Sequence, residues 1–194
     1  MSQIIPLFPL NTVLFPRGFL PLRVFEPRYL DMISNCMKTE QGIGVVLIRE
    51  GREVGQAAST YDVGTLTQIS YWHKRTDGLL GVTLSGLQRF RILSHDVQAN
   101  QLVLAEVEML PEIGACSLEA RYLPMAAMLE KIVTQLDPPF STMEPCYGDG
   151  DWVSARLIEL LPLPLETKQH LFMLEDVSTR LQELEKILSE KGLW

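Results

Sequence analysis

The side chains best suited to catalysis or metal binding are few and widely spaced. The histidines and cysteines are His73, His95, His170, Cys36, Cys116 and Cys146. No Cys-x-x-Cys or His-x-x-x-His pattern joins them, whereas a metal site needs several ligands in local or convergent spacing. The sequence therefore predicts no metal site, and three reduced, structural thiols.

Motifs for nucleotide binding and nucleophilic catalysis are also missing. There is no Gly-Lys dipeptide, which the phosphate-binding loop of ATPases requires, and neither G-x-S-x-G nor H-E-x-x-H occurs. Gly42 and Gly44 lack the third glycine of a dinucleotide-binding fingerprint, because Leu47 occupies that position. We therefore predict a protein that is not an enzyme and that uses no cofactor.

Charge is unevenly distributed along the chain, whose formal net charge is −7. Residues 1–114 contain 10 Lys or Arg and 11 Asp or Glu, whereas residues 115–194 contain 7 and 13. Nucleic-acid-binding proteins usually present a basic face, so nucleic acid is not the favoured partner. One aromatic and basic cluster, residues 71–75 around Trp72, leaves RNA binding open as an alternative to a simple exposed hairpin end.

The elements that would position these side chains change type near residue 114. Four prolines divide the first apolar blocks into short extended pieces and turns: Pro6, Pro9, Pro16 and Pro21. Pro27 favours the start of a helix that reaches about Lys38. Apolar runs after residue 42 predict further strands, with a hairpin near Asp77 and a bulge or bend at Gly86. Beyond residue 114 the apolar period becomes helical.

The predicted fold class is therefore α+β. A β-rich domain with one inserted helix occupies residues 1–114, and a helical domain occupies residues 115–194.

Four blocks of the β-rich part resemble the amino-terminal substrate-binding domain of Lon proteases. They are PLFPLNTVLFP at residues 6–16, LPLRVFEPRY at 20–29, VGT at 63–65 and GLQRFR at 86–91. The resemblance implies a PUA-like β pseudo-barrel followed by a helical bundle. It also implies a stand-alone module without ATPase or protease domains, which recognises unfolded or exposed polypeptide segments as an adaptor or holdase.

Seven residues are candidates for such recognition: Leu14, Phe15, Pro16, Phe19, Arg28, Trp72 and Arg89. The first four share a proline-rich turn and would be apolar anchors if exposed, with core packing as the alternative. The two arginines stand in apolar blocks, which indicates structural ion pairs. Alternatively, they line a groove that receives a partner's carboxylate or backbone carbonyl.

No apolar run reaches the ~18 residues that a membrane span needs, and the chain does not start like a signal peptide. We therefore expect a cytoplasmic protein with no membrane contact. The resemblance to Lon proteases implies that its partners are unfolded or hydrophobic polypeptides. A small-molecule pocket between the β and helical parts is a further alternative. The oligomeric state stays open.

Overall fold

The computed structural model describes residues 2–192, in which seven strands and five α-helices occur. The chain divides into two compact units, Met1–Pro111 and Glu112–Trp194. The division thus lies three residues before the one predicted between 114 and 115. A largely antiparallel sheet together with helices confirms the predicted α+β class.

The first unit is built around the sheet. Its strands are β1 (Ser2–Leu10), β2 (Phe19–Val24), β3 (Ile43–Glu50), β4 (Ser59–Thr60), β5 (Val63–Lys74), β6 (Leu80–Val97) and β7 (Val103–Met109). Their order is β1-β7-β6-β5-β3-β4, and β2 pairs with β6. Because β1 also pairs with β3, in parallel, the pairing runs from β1 through β7, β6, β5 and β3 back to β1. All other pairs are antiparallel.

Helix α1 (Pro27–Thr39) begins at Pro27, as the sequence predicts. Proline is favoured there because its missing N–H has no partner in the first helical turn. The helix buries one face against the sheet through Tyr29, Met32, Ile33 and Cys36. Met37, in the last turn, is 43 % exposed and stands outside that core.

The second unit is helical. Its α-helices are α2 (Leu123–Val133), α3 (Gly150–Leu160), α4 (Leu165–Met173) and α5 (Val177–Glu190). Helix α3 contacts the other three, and its buried side chains include Trp152 and Leu157. Asp149 and Asp176 cap α3 and α5, because each carboxylate accepts a backbone N–H of the first turn. None of the helices in residues 2–192 is long and apolar enough to cross a membrane.

Candidate functional site

The proline-rich turn places two of its four expected anchors in the core. Leu14 is 4 % exposed and Phe15 is 1 % exposed, while Pro16 and Phe19 are half-buried. The expectation of exposed anchors is therefore corrected for Leu14 and Phe15, because a buried side chain cannot reach a partner in this conformation. Leu14 and Phe15 instead pack in the core, which was the alternative prediction for them.

Arg28 belongs to a structural cluster at the start of α1. Its Nη1 donates to the carbonyl oxygen of Gln101 at 2.8 Å, and its Nη2 donates to that of Glu53 at 3.2 Å. Its Nε lies 3.1 Å from Glu26 Oε2, and the guanidinium lies 4.5 Å from the ring centre of Tyr29. Burial raises the pKa of Tyr29 to about 12, although the positive charge of Arg28 opposes this change. Arg28 therefore joins α1 to two loops and offers no charge to a groove.

Arg89 and Trp72 differ in exposure. Arg89 is 4 % exposed on β6, opposite Thr65 of β5. Trp72 is 56 % exposed on β5, and its neighbour Tyr71 is 60 % exposed. Of the predicted candidates, Trp72 is therefore the one whose side chain lies mostly on the surface, beside a second exposed aromatic side chain.

A groove of about 820 Å³ lies beside Trp72, between the carboxyl-terminal end of α1 and strand β5. We call it the β5 groove. Four apolar side chains that line it are substantially exposed: Met37, Tyr71, Trp72 and Leu87. Sequence reasoning missed Met37 and Leu87 as site residues. The only signal for Leu87 was its place beside Gly86, where the strand alternation breaks.

A β-bulge directs Leu87 into the β5 groove. Leu66 of β5 is in register with Gln88, but the next residue, Thr67, is in register with Gly86. Leu87 is thus the additional residue on β6, and a bulge re-aims the side chain that it carries. Leu87 is consequently 42 % exposed although both of its neighbours in β6, Gly86 and Gln88, pair with β5.

The end of α1 leaves part of β5 without a second neighbour. Glu40 ends the helix in the left-handed conformation, with φ of 54°, and β3 begins only at Ile43. Pairing between β3 and β5 therefore stops at Thr67. Over Gln68–Lys74, β5 pairs with β6 on one side except at Ser70, an additional residue between the pairs Ile69–Leu84 and Tyr71–Thr83, and no described strand pairs with its other side.

The β5 groove is nearly uncharged. Of the described residues that line it, Glu40 alone carries a charge. At the nearby hairpin turn, Arg75 Nε and Arg23 Nε lie 3.3 Å and 3.4 Å from Asp77 Oδ2. The backbone N–H of Leu79, with help from both arginines, lowers the pKa of Asp77, so it remains a carboxylate. The lining combines exposed apolar side chains with uncharged polar ones such as Gln68 and Ser70, and this weakly acidic mixture suits a polypeptide segment better than a phosphate backbone.

Comparison with known proteins assigns the chain to a family. A family model described as the ATP-dependent protease La (LON) substrate-binding domain matches residues 4–190. The Lon protease of Anaeromyxobacter dehalogenans is 25 % identical over 200 residues, covering 98 % of this chain and 24 % of that protein. The Lon protease of Koribacter versatilis is 29 % identical over 199 residues, with the same two coverages of 98 % and 24 %. The chain thus spans about a quarter of the length of these relatives.

Two solved structures are similar over nearly their whole length. The crystal structure of a Lon N-terminal domain protein from Xanthomonas campestris has a TM-score of 0.77 and 32 % identity, covering 95 % of this chain and 98 % of that one. The N-terminal domain of the Mycobacterium avium complex Lon protease has a TM-score of 0.60, with 96 % and 98 % covered. At 16 % identity, the second likeness shows the fold alone.

Proposed function

The chain belongs to the family of the ATP-dependent protease La (LON) substrate-binding domain, and on that basis we propose that it binds unfolded or exposed segments of other polypeptides. The module acts by recognition, without a catalytic step of its own. It serves as an adaptor or holdase, and its sheet is the PUA-like pseudo-barrel of such domains, with the helical unit as a bundle.

The observation that carries this proposal is the β5 groove. Tyr71 and Trp72 are more than half exposed, and Met37 and Leu87 are more than two-fifths exposed, around one depression of about 820 Å³. Clustered exposed apolar side chains on a soluble protein mark interaction sites, because water contact with such a patch is unfavourable. Large aromatic side chains also supply much of the binding energy at protein interfaces.

The groove suits polypeptides in general rather than one folded surface. Its apolar side chains come from a helix end, a strand and a bulge, and one of them is a methionine. Methionine is flexible and adapts to different partners. A weakly charged lining adds little selectivity for a particular sequence.

The direct test is a titration with reduced, carboxymethylated α-lactalbumin, which cannot refold. We expect the wild type to bind this unfolded protein and to ignore native α-lactalbumin. Trp72→Ser should weaken binding roughly five- to thirtyfold, equivalent to about 1–2 kcal/mol. The matched control is Leu93→Ser, because Leu93 is 53 % exposed on β6 and does not line the groove.

Two kinds of result would overturn the proposal, one from the variants and one from the wild type. One is an equal loss of affinity in the Trp72 and Leu93 variants, which would remove the groove as the site. The other is a wild type that binds no unfolded protein, or that binds single-stranded RNA more tightly, which would put RNA recognition in its place.

A further inference from the structure

The geometry points to a specific binding mode, and this inference rests on the function proposed for the β5 groove. We infer that the bound segment adds to the sheet as a new strand along Gln68–Trp72 of β5. Its occupant is an extended, proline-free segment of another polypeptide, with apolar side chains at alternate positions. Such strand addition derives affinity from backbone hydrogen bonds and selectivity from side-chain pockets.

The first argument is the open edge itself. Ile43 is the first residue of β3 and pairs with Thr67, so the ladder on that side of β5 ends there. The following residues of β5 pair with β6 as far as Lys74, apart from a one-residue bulge at Ser70. A strand with one neighbour presents a row of backbone N–H and C=O groups that can accept another strand. Five residues of such an edge extend about 17 Å.

The opposite edge of the same local sheet is different. Here β5, β6 and β2 lie side by side, because Leu80–Ser85 of β6 pairs with both neighbours. Strand β2 forms that opposite edge and contains Pro21, which has no N–H to donate. Proline is a common protection of edge strands, and Gln68–Lys74 of β5 contains none. The edge beside the groove carries one bulge, at Ser70, but it keeps all of its N–H groups, so it is the better able of the two to pair.

The side chains around this edge suit a strand with alternating character. Tyr71 and Trp72 are neighbours in β5 and project to opposite faces. An added strand would thus have an exposed aromatic side chain beside it on each face. Met37 and Leu87 line the same groove, so they offer apolar contact to the residues that enter it.

The charges at the two ends of the open edge favour a segment that has opposite charges at its own two ends. Glu40 lines the end of the groove near α1, and the exposed Lys74 lies at the other end of the open edge. A basic residue near the first and an acidic residue near the second would complete opposite-charge pairs.

A second copy of this chain fits the edge less well. In antiparallel pairing of the full edge with its own counterpart, Lys74 of one copy lies opposite Gln68 of the other. The hairpin turn at residues 75–79 would then run into the chain at Gly42, which closes the end of the edge. A short peptide has no such turn, so its chain can end or turn away from the sheet at Gly42.

The experiment uses the intact chain and an acetylated peptide of alternating leucine and threonine, with lysine at one end and aspartate at the other. Two derivatives are compared, each N-methylated at one of the two sets of alternate residues. In an edge strand only one set of N–H groups faces β5. We therefore expect one derivative to bind at least about tenfold more weakly than the other. Amide hydrogen exchange at residues 68–72 should slow when the unmethylated peptide binds.

Each other outcome has a definite meaning. If the peptide binds but both derivatives bind equally, or exchange at residues 68–72 is unchanged, strand addition is wrong while the groove function stands. If neither the peptide nor unfolded α-lactalbumin binds, both proposals fail. If sedimentation velocity shows a dimer of the free chain with slow exchange at this edge, a second copy is the occupant and the inference is overturned.

Discussion

Gly86 lies so close to the main chain of Phe15 that a side chain at position 86 would meet the carbonyl oxygen of Phe15. Two hydrogen bonds hold this approach. The N–H of Arg17 donates to Gly86 O at 2.8 Å, and the N–H of Gly86 donates to Gly18 O at 2.9 Å. The turn after β1 is therefore fastened to β6 through a residue without a side chain.

The first prediction follows from this contact. Gly86→Ala should destabilise the protein by roughly 1–3 kcal/mol, because the obstructing atom belongs to a hydrogen-bonded main chain that cannot move away cheaply. The control is Gly114→Ala, since open space surrounds that glycine and an added methyl group meets nothing within 4 Å. Urea unfolding measures both. If Gly86→Ala unfolds at the same urea concentration as the wild type, the turn at Phe15 can move aside and the prediction is wrong.

The second prediction separates packing from binding. Phe15→Ala should cost about 3–5 kcal/mol of stability, because its ring is 1 % exposed and its removal leaves a cavity. Trp72→Ala should change stability by less than ~0.5 kcal/mol, because Trp72 is largely exposed. Denaturant titrations of both variants check this. The reverse order of stabilities would contradict the core assignment of Phe15.

The third prediction concerns the Arg28 cluster. Arg28→Met should destabilise the protein by roughly 2–4 kcal/mol, because the carboxylate of Glu26 and two carbonyl groups lose a buried partner. Arg23→Met is the matched control. Its ion pair with Asp77 is largely exposed, at 58 % and 34 % for the two side chains, and should contribute less than ~1 kcal/mol. Equal effects would mean that Arg28 is not structural.

The fourth prediction is a pH effect of Tyr29 in the same cluster. Its folded pKa is raised from 10.0 to about 12, chiefly by burial, so the unfolded chain releases this proton first as the pH rises. The corresponding stability is complete below pH 10 and is lost progressively as the pH approaches 12. Between about pH 8 and about pH 11, the wild type should lose more stability than Tyr29→Phe, which has no such proton. Parallel pH profiles of urea midpoints would contradict this.

Local sequence signals were sufficient for much of the fold. Pro27 predicts the start of α1 because proline fits the first turn of a helix and few other positions in regular structure. After residue 114 the spacing of apolar residues becomes that of a helix, and this local change predicts the helical unit. Such signals depend on a few neighbouring residues, so they can be interpreted without knowing the tertiary contacts.

The groove was harder to predict, because its features arise from pairing between distant segments. The bulge at Leu87 depends on the register between β5 and β6, and the open edge depends on where β3 begins. Gly86 was expected to mark a bulge or bend, and the bulge lies at the next residue, but the contact with the main chain of Phe15, which requires the missing side chain, could not be predicted. For Phe15 the sequence left exposure and core packing open, because a turn in the local sequence does not show what packs over it.

The last prediction tests whether Met37 and Leu87 contact the same bound segment. They reach the β5 groove from different elements, α1 and the bulge of β6. Met37→Ser and Leu87→Ser should each weaken binding of unfolded α-lactalbumin roughly five- to thirtyfold. Because both side chains are more than two-fifths exposed, stability should change by less than ~0.5 kcal/mol.

The double variant, Met37→Ser with Leu87→Ser, tests whether the two contacts depend on each other. If one segment packs against both side chains, removing the first contact loosens the second, and the combined loss in binding free energy is smaller than the two single losses together by at least ~0.5 kcal/mol. Full additivity would mean that the two residues act at separate sites. In that case Met37 and Leu87 would not share an occupant, and a single strand along β5 would not explain the apolar lining.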